Sequence, residues 1–401
     1  MIKRTPDDFQ VEEILSKQFP LLAEKSGPFA LYRLTKETLA TPEAVGRVAR
    51  ALKVPAAAFA YAGLKDKHAS TLQHVTLDTE KAPDAPEKSE GPDWTIERLG
   101  FAPRAIAASD IERNRFYITV RNLTAQECFD MDRARRLLST SDTDGAGLRI
   151  VNYFGDQRFG SARHGRGWVA KHLIKGEFED ALKLAIATEA RKDRMDDKIF
   201  KRTIREHWGK WGQMLKTLRP RPDRKAIERL ANSGSDFRAA FCALPYMFQQ
   251  MCVYAYQSWL WNLIARHVVA ESCVERGPVI AADDTYGEML FPTNEAISPE
   301  LAELEIPLLA RKTELTGPWK TAAEAVLAAE GIAVTDLEIP GVRRPFFGEE
   351  PRRLFFVADK FEATAPATDD SADDPKRKKR TLSFSLPRGC YATVLLRALG
   401  Q

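Results

Sequence analysis

The sequence predicts an α+β fold organised in more than one compact unit, and three observations predict it. Strand-like alternation recurs through roughly the first third of the chain with a helix inserted among the strands. A long helical stretch fills the middle, and strand patterns return near the C-terminus. The 401 residues exceed a usual domain of roughly 100 to 200 residues, so two domains, or one domain with a large insertion, are expected. With 44% hydrophobic and 29% charged residues the chain has the composition of a soluble globular protein that buries a substantial core.

Residues 6 to 14 alternate apolar Phe9 and Val11, then Ile14, among acids, and read as a half-exposed strand. Thr41-Pro42-Glu43 opens a helix, with Thr41 as N-cap and Pro42 as a good first residue. Val45, Val48, Ala49 and Leu52 then recur at helical spacing until Pro55. Thr71 to Leu77 returns to a strand, Lys81 to Asp93 reads as a surface loop, and Trp94 to Leu99 and Phe116 to Arg121 read as further strands. From about Gly176 to Ala270 the pattern is helical, ending in a long apolar and aromatic helix from Tyr246 to His267. That helix is read as core between the two units in preference to a base-stacking platform.

The strand pattern resumes only at Arg353 to Val357 and continues as Thr381 to Leu386, a hairpin with a long tip. The tip, Asp369 to Arg380, carries four acids and then five bases and is expected to be disordered or nearly so. Its run Lys376 to Arg380 is read as solvated rather than as a nuclear address or an RNA contact. No period of 20 to 50 residues repeats, which excludes a solenoid or propeller.

Net charge is only +4, but between Arg191 and Arg229 fourteen Lys and Arg stand against six Asp and Glu. That stretch predicts a basic face suited to phosphate, with a solvated helical surface as an equal alternative. The five cysteines are scattered and follow no zinc or disulfide spacing, so they are read as reduced thiols and no metal is expected. The N-terminus has no apolar leader and no stretch approaches the ~18 apolar residues of a membrane span, which predicts a soluble, cytoplasmic protein. Neither a P-loop nor a G-x-G-x-x-G spacing is present, so no nucleotide cofactor is expected.

Asp66 stands between Lys65 and Lys67, where neighbouring cations favour the ionised carboxylate. By itself Lys-Asp-Lys is far more often a solvated turn than an active site. Its surroundings, Tyr61-Ala62-Gly63-Leu64-Lys65-Asp66-Lys67-His68-Ala69-Ser70-Thr71-Leu72-Gln73, resemble the signature of the TruD family of pseudouridine synthases. Asn152 to Gly160 resembles the family's second signature, Lys3 to Val11 its opening Lys-x-x-Pro-x-Asp-Phe-x-Val, and Leu386 to Thr393 its C-terminal one, all in the family's order.

The resemblance implies a pseudouridine synthase core, a mixed and largely antiparallel sheet with flanking helices, from residues 1–160 and 341–401. A large α/β insertion domain would occupy 161–340, in line with the shift to helical pattern there. It implies isomerisation of uridine in tRNA, at uridine 13, or in another structured RNA, without metal or cofactor. Asp66 would be the nucleophile, attacking C1′ or taking a ribose proton. Phe9, Asn152 and Tyr391 would contact the uridine, Phe154 would pack beside the nucleophile, and Lys3 would lie close by, with core packing as the alternative for each aromatic. Lys65, Gln73 and Arg158 are supporting candidates, Lys65 and Arg158 to tune Asp66 or bind phosphate unless they form plain ion pairs. Asp156 is given a peripheral role. The alternatives are a non-catalytic RNA-binding protein and a carboxylate-dependent hydrolase, which would need a second acid.

Overall fold

The computed structural model describes residues 4–67, 69–141, 146–160, 166–190 and 193–401. In chain order the first part contains β1 (Phe9–Leu15), β2 (Phe29–Glu37), α1 (Thr41–Leu52), β3 (Phe59–Tyr61), β4 (Ser70–Asp78), β5 (Lys88–Gly91) and β6 (Trp94–Ala102). After these come β7 (Ile111–Leu123), α2 (Ala125–Leu138), β8 (Ser139–Thr140) and β9 (Gly147–Val151). The middle holds α3 (Val169–Ile174), α4 (Phe178–Leu182), α5 (Met195–Glu206), α6 (Trp211–Thr217), α7 (Arg224–Ser233), α8 (Phe237–Cys242) and α9 (Tyr246–Cys273). It continues with β10 (Val279–Ala282), β11 (Met289–Pro292), α10 (Pro299–Ala302), β12 (Glu305–Leu308), α11 (Lys320–Glu330) and β13 (Glu350–Arg353). The chain closes with β14 (Phe355–Ala363), β15 (Ala367–Thr368), β16 (Lys378–Pro387) and α12 (Ala392–Ala398).

Two compact units divide the chain. The first comprises residues 1–150 and 356–401, the second residues 151–355. The sequence analysis places the same kind of division at 160 and 341, so Asn152 to Gly160 falls in the second unit.

The first unit is built on a 12-stranded sheet of order β5-β6-β2-β4-β1-β7-β16-β14-β9-β8, with β3 beside β4 and β15 beside β16. β1 runs parallel to β4, whereas the pairs β1–β7, β14–β16, β16–β7, β2–β4 and β2–β6 are antiparallel. This is the mixed, mostly antiparallel sheet of an α+β fold. One face of it packs α1: Ala44, Val45, Val48 and Ala49 meet Tyr32, Leu34, Val75 and Leu77 in one apolar cluster. The helix period and the strand alternation each place their apolar side chains on that seam, which supplies the burial that fixes α1. Lys53 ends the helix in the left-handed region at φ 58°.

The second unit is organised around α9, 28 residues long and buried on several faces. A helix apolar all round belongs inside. It is stitched to its surroundings by its polar side chains: Gln257 donates to the carbonyls of Leu309 at 2.8 Å and Gly348 at 2.9 Å, and Trp261 Nε1 to that of Ile306 at 2.9 Å. No helix among the described residues is long and apolar enough to cross a membrane. All five cysteines are free thiols, and Cys128, Cys252 and Cys273 are buried.

Several local expectations are corrected. Thr41 is the first helical residue rather than the cap: Ala40 holds the N-cap position, and the Thr41 hydroxyl is used elsewhere. The Lys81 to Asp93 loop contains β5, an edge strand paired to β6 over Lys88 to Gly91. Its charged side chains are tolerated because an edge faces water. Strands return well before Arg353, as β10 to β13, each four residues long and too short for alternation to stand out.

The 369–380 tip is ordered instead of disordered. Arg121, reaching from β7, donates to Asp369 at 3.0 Å, to Asp370 at 2.8 Å and, through Nε, to Asp8 at 2.8 Å. Arg380 is buried, paired with Asp132 at 2.9 Å and donating to the Thr364 carbonyl at 2.6 Å. In the basic stretch, Lys201 pairs with Asp193 at 2.6 Å, Arg221 with Asp197 at 2.5 Å and Arg224 with Glu228 at 3.1 Å, so part of its charge is spent within the second unit. Arg191 and Lys192 lie outside the described residues.

Candidate active site

Strand register assembles the first part of the site. Residues opposite one another in a ladder share a face, and the pairings place Lys36, Thr71, Val11, Phe116 and Phe384 in one row across β2, β4, β1, β7 and β16. Gln73 lies opposite Leu34, and Glu13 opposite Asn114, two residues further along the same face. The turn carrying Asp66 connects β3 to β4, whose residues 70–72 pair with β1 and 75–77 with β3.

Lys65, next to Asp66, is turned into this face. The Lys65 ammonium pairs with Glu13 Oε1 at 2.8 Å, the two side chains 12% and 1% exposed, and donates to Asn114 Oδ1 at 2.7 Å. The Lys65 backbone N–H donates to Thr41 Oγ1 at 2.9 Å, and that hydroxyl donates to Gln73 Oε1 at 2.9 Å. Gln73 Nε2 and Thr71 Oγ1 are buried without a partner. The second Glu13 oxygen accepts the His74 N–H at 2.8 Å. Lys67, more exposed, pairs with Glu43 at 3.3 Å. Each flanking lysine thus has its own acid, and Asp66 is half-buried between them.

A third lysine reaches the turn from below. Lys36 Nζ donates to the Leu39 carbonyl at 2.6 Å and to the Asp66 carbonyl at 3.1 Å. Burial lowers its pKa to about 8; the Asp66 charge acts in the raising direction and that of Lys65 in the lowering one. Lys36, Glu13, Thr41 and Asn114 escape the sequence reading as site residues. A signal existed for Lys36: it continues the inward alternation Ala30, Tyr32, Leu34 of β2.

Of the aromatics in this unit, Phe9 is buried and meets Phe116 edge-on at 6.1 Å, and Phe116 stacks on Phe384 at 5.4 Å. Tyr391 is half-buried at the N-cap of α12, reached through Gly389 at φ 75°, a conformation that suits glycine. Lys3 lies outside the described residues.

In the second unit, taken by itself, Asn152 and Phe154 form a compact group around Arg352. Arg352 donates to Asn152 Oδ1 at 2.6 Å and to its carbonyl at 2.9 Å, and the Asn152 amide nitrogen donates to the Arg353 carbonyl at 3.1 Å. The Arg352 guanidinium lies 3.9 Å from the Phe154 ring centroid, and Phe154 meets Trp261 edge-on at 5.7 Å. Asn262 clamps the Phe154 backbone with bonds of 2.8 and 2.9 Å. Arg158 donates to Ser258 at 2.8 Å and covers Tyr254 at 4.8 Å. Arg352 was not legible from sequence, being 200 residues from Asn152 along the chain. Asp156 keeps one buried carboxylate oxygen unpartnered. His172, Glu177 and Asp180 bring ligand atoms within 4.8 Å of one another, but the acids are exposed and His172 already pairs with Glu177. They make no case for a metal.

The chain is similar throughout its length to a described family and to a solved structure. A family model described as tRNA pseudouridine synthase D (TruD) matches residues 1–399. A protein of Aquifex aeolicus described as tRNA pseudouridine synthase D is 30% identical over 411 residues, covering 99% of this chain and 97% of that one. A probable tRNA pseudouridine synthase D of Methanopyrus kandleri is 32% identical over 376 residues, covering 93% and 86%. A crystal structure of a putative tRNA pseudouridine synthase D from Methanosarcina mazei superposes with a TM-score of 0.69 at 23% identity, covering 99% of this chain and 92% of that one, and shows the shared fold. The extent of these matches and the α+β sheet agree with the signatures: the chain belongs to the tRNA pseudouridine synthase D (TruD) family.

Proposed function

We propose that this chain, an isomerase by its family, converts uridine to pseudouridine in tRNA with Asp66 as nucleophile and without a cofactor, at uridine 13. The observation that supports the reading best is the build of the Asp66 turn. Its neighbours are fastened by buried hydrogen bonds and an ion pair, and Asp66 itself is half-buried. Such a turn holds the Asp66 backbone in one place, which is what a carboxylate acting at a sugar carbon requires.

The reaction asks little more than a fixed anion at the sugar. The N1–C1′ bond breaks with its electron pair leaving on uracil, as an Asp66 oxygen adds to C1′ or removes a ribose proton. The base turns, C5 bonds to C1′ as the carboxylate is released or, on the second route, as Asp66 returns the proton to the ribose, and the C5 hydrogen departs as a proton while N1 gains one. Nothing is oxidised or reduced, so no redox cofactor enters the balance. Phe9, Asn152, Phe154 and Tyr391 are proposed to receive the uridine, with Lys3 nearby. Both ends of the Asn152 amide are engaged, so a bond to uracil would replace one to Arg352 or Arg353. A cytoplasmic location, where the substrate is, accompanies this reading.

Release of tritium from tRNA labelled at uridine C5 tests it. Wild type should release tritium, Asp66→Asn should be slower by at least about a thousandfold, and cytidine in place of uridine 13 should abolish release. Wild-type release from Asp66→Asn would remove the nucleophile assignment. Tight binding without release across a tRNA panel would favour a non-catalytic RNA-binding protein.

A further inference from the structure

Lys36 has 0% solvent exposure. An ammonium group leaves water only where the protein replaces its hydration, and burying it is costly, so a buried lysine is weak evidence of a purely stabilising task. Its two named acceptors are the carbonyls of Leu39 and Asp66, so it binds the end of β2 to the reactive turn.

The charged groups facing it are Asp66 and Lys65. Lys65 is engaged by Glu13, and Glu43 of α1 by Lys67. β4 presents uncharged Thr71 opposite Lys36 and Gln73 two residues on. Among the described lysines at this turn, Lys65 and Lys67 each pair with a glutamate, whereas Lys36 donates to backbone carbonyls.

We propose that Lys36 is the positioning residue of the Asp66 carboxylate: its buried ammonium clamps the Asp66 backbone and supplies the fixed countercharge that keeps the carboxylate anionic when RNA is bound. The inference rests on the reading of Asp66 as nucleophile. Bound RNA brings phosphate charge and strips water from the turn, and both push a carboxylate toward its protonated, unreactive form. A cation already buried beneath the turn offsets that push without reorganising, and its bond to the Asp66 carbonyl holds the side chain at its departure point. Lys36 touches neither sugar nor base in this scheme and acts through Asp66.

The test is the pH dependence of single-turnover tritium release and of KM for wild type, Lys36→Gln, Lys36→Arg and Asp66→Asn. Glutamine keeps a donor and removes the charge; arginine keeps the charge and does not titrate. In Lys36→Gln the acid limb should rise by about one pH unit or more and the plateau rate fall at least about tenfold, with KM within about twofold. Wild type should show a basic limb near pH 8, where Lys36 loses its proton; Lys36→Gln and Lys36→Arg should lack it. Lys36→Arg should keep the wild-type acid limb.

An unshifted acid limb in Lys36→Gln overturns the proposal. Should that variant fail to fold, a basic limb shared by wild type and Lys36→Arg overturns it equally. Asp66→Asn separates the two ideas. If it turns over like wild type, the nucleophile reading fails; if it is inactive while the Lys36 variants keep wild-type profiles, only the role of Lys36 fails.

Discussion

The Asp66 turn and the 369–380 tip are both short runs of mixed charge in the first unit, and each is organised by a cation from elsewhere in the chain. Around Arg121 the acids close in: Asp8 and Asp369 are buried, and Asp369 also accepts from the Asn122 N–H at 2.8 Å and the Ser371 hydroxyl at 2.7 Å. Around Lys36 the acceptors are carbonyls, and the nearby Asp66 is half-buried. The same residue types thus make a knot in one place and a reachable acid in the other. What distinguishes them is what the cation binds: carboxylates around Arg121, backbone carbonyls around Lys36.

Three variants probe the contrast. The largest expected effect on stability belongs to Arg121→Met, which leaves buried carboxylates without their countercharge. Urea unfolding should show a loss of about 4 kcal/mol, the tip should become sensitive to protease, and the turnover of folded protein should change little. A loss under about 1 kcal/mol would mean that the tip is held by its β15–β16 pairing alone. Glu13→Ala should cost about 3 kcal/mol, because Lys65 is then buried unpaired and the His74 N–H loses its acceptor. It should also slow tritium release, since the turn loses its anchor. Full activity in Glu13→Ala would show that the Lys36 and Thr41 bonds suffice.

The smallest effect is pH-dependent. Burial opposes ionisation of Asp369, and the hydrogen bonds from Ser371, Asn122 and Arg121 outweigh it, so its pKa is held well below the ordinary carboxylate value. A depressed folded-state pKa contributes stability that is present above the unfolded value of ~4 and is lost as pH falls below it. Asp369→Asn should therefore cost roughly 2 kcal/mol at neutral pH and flatten the acid side of the Tm profile. An unchanged acid slope would assign that slope to other carboxylates.

The long periodic elements were legible in the sequence because they bury themselves by pattern: α1, β4, β7 and α9 all stand close to where spacing put them. The strands β10 to β13 were not, since four residues carry too few alternations to outweigh their neighbours. Asp66 was legible only as part of a long signature. Lys36 was hidden because a lysine in a strand reads as solvent-facing, and its burial depends on the β2–β4 register. The order of the tip was hidden for a related reason. Its composition has no apolar anchor, and the ionic one, Arg121, lies 248 residues from Asp369.

The sheet order has a consequence for synthesis. β16 lies between β7 and β14, so the sheet bearing Asp66 cannot close until nearly the whole chain has left the ribosome. Residues 151–355, continuous in sequence, are complete earlier and are free to fold while β1 to β7 wait with an unpaired edge on β7. Competence for catalysis therefore arrives late, and a nascent chain stalled before residue 378 holds the Asp66 turn on a sheet that lacks a central strand.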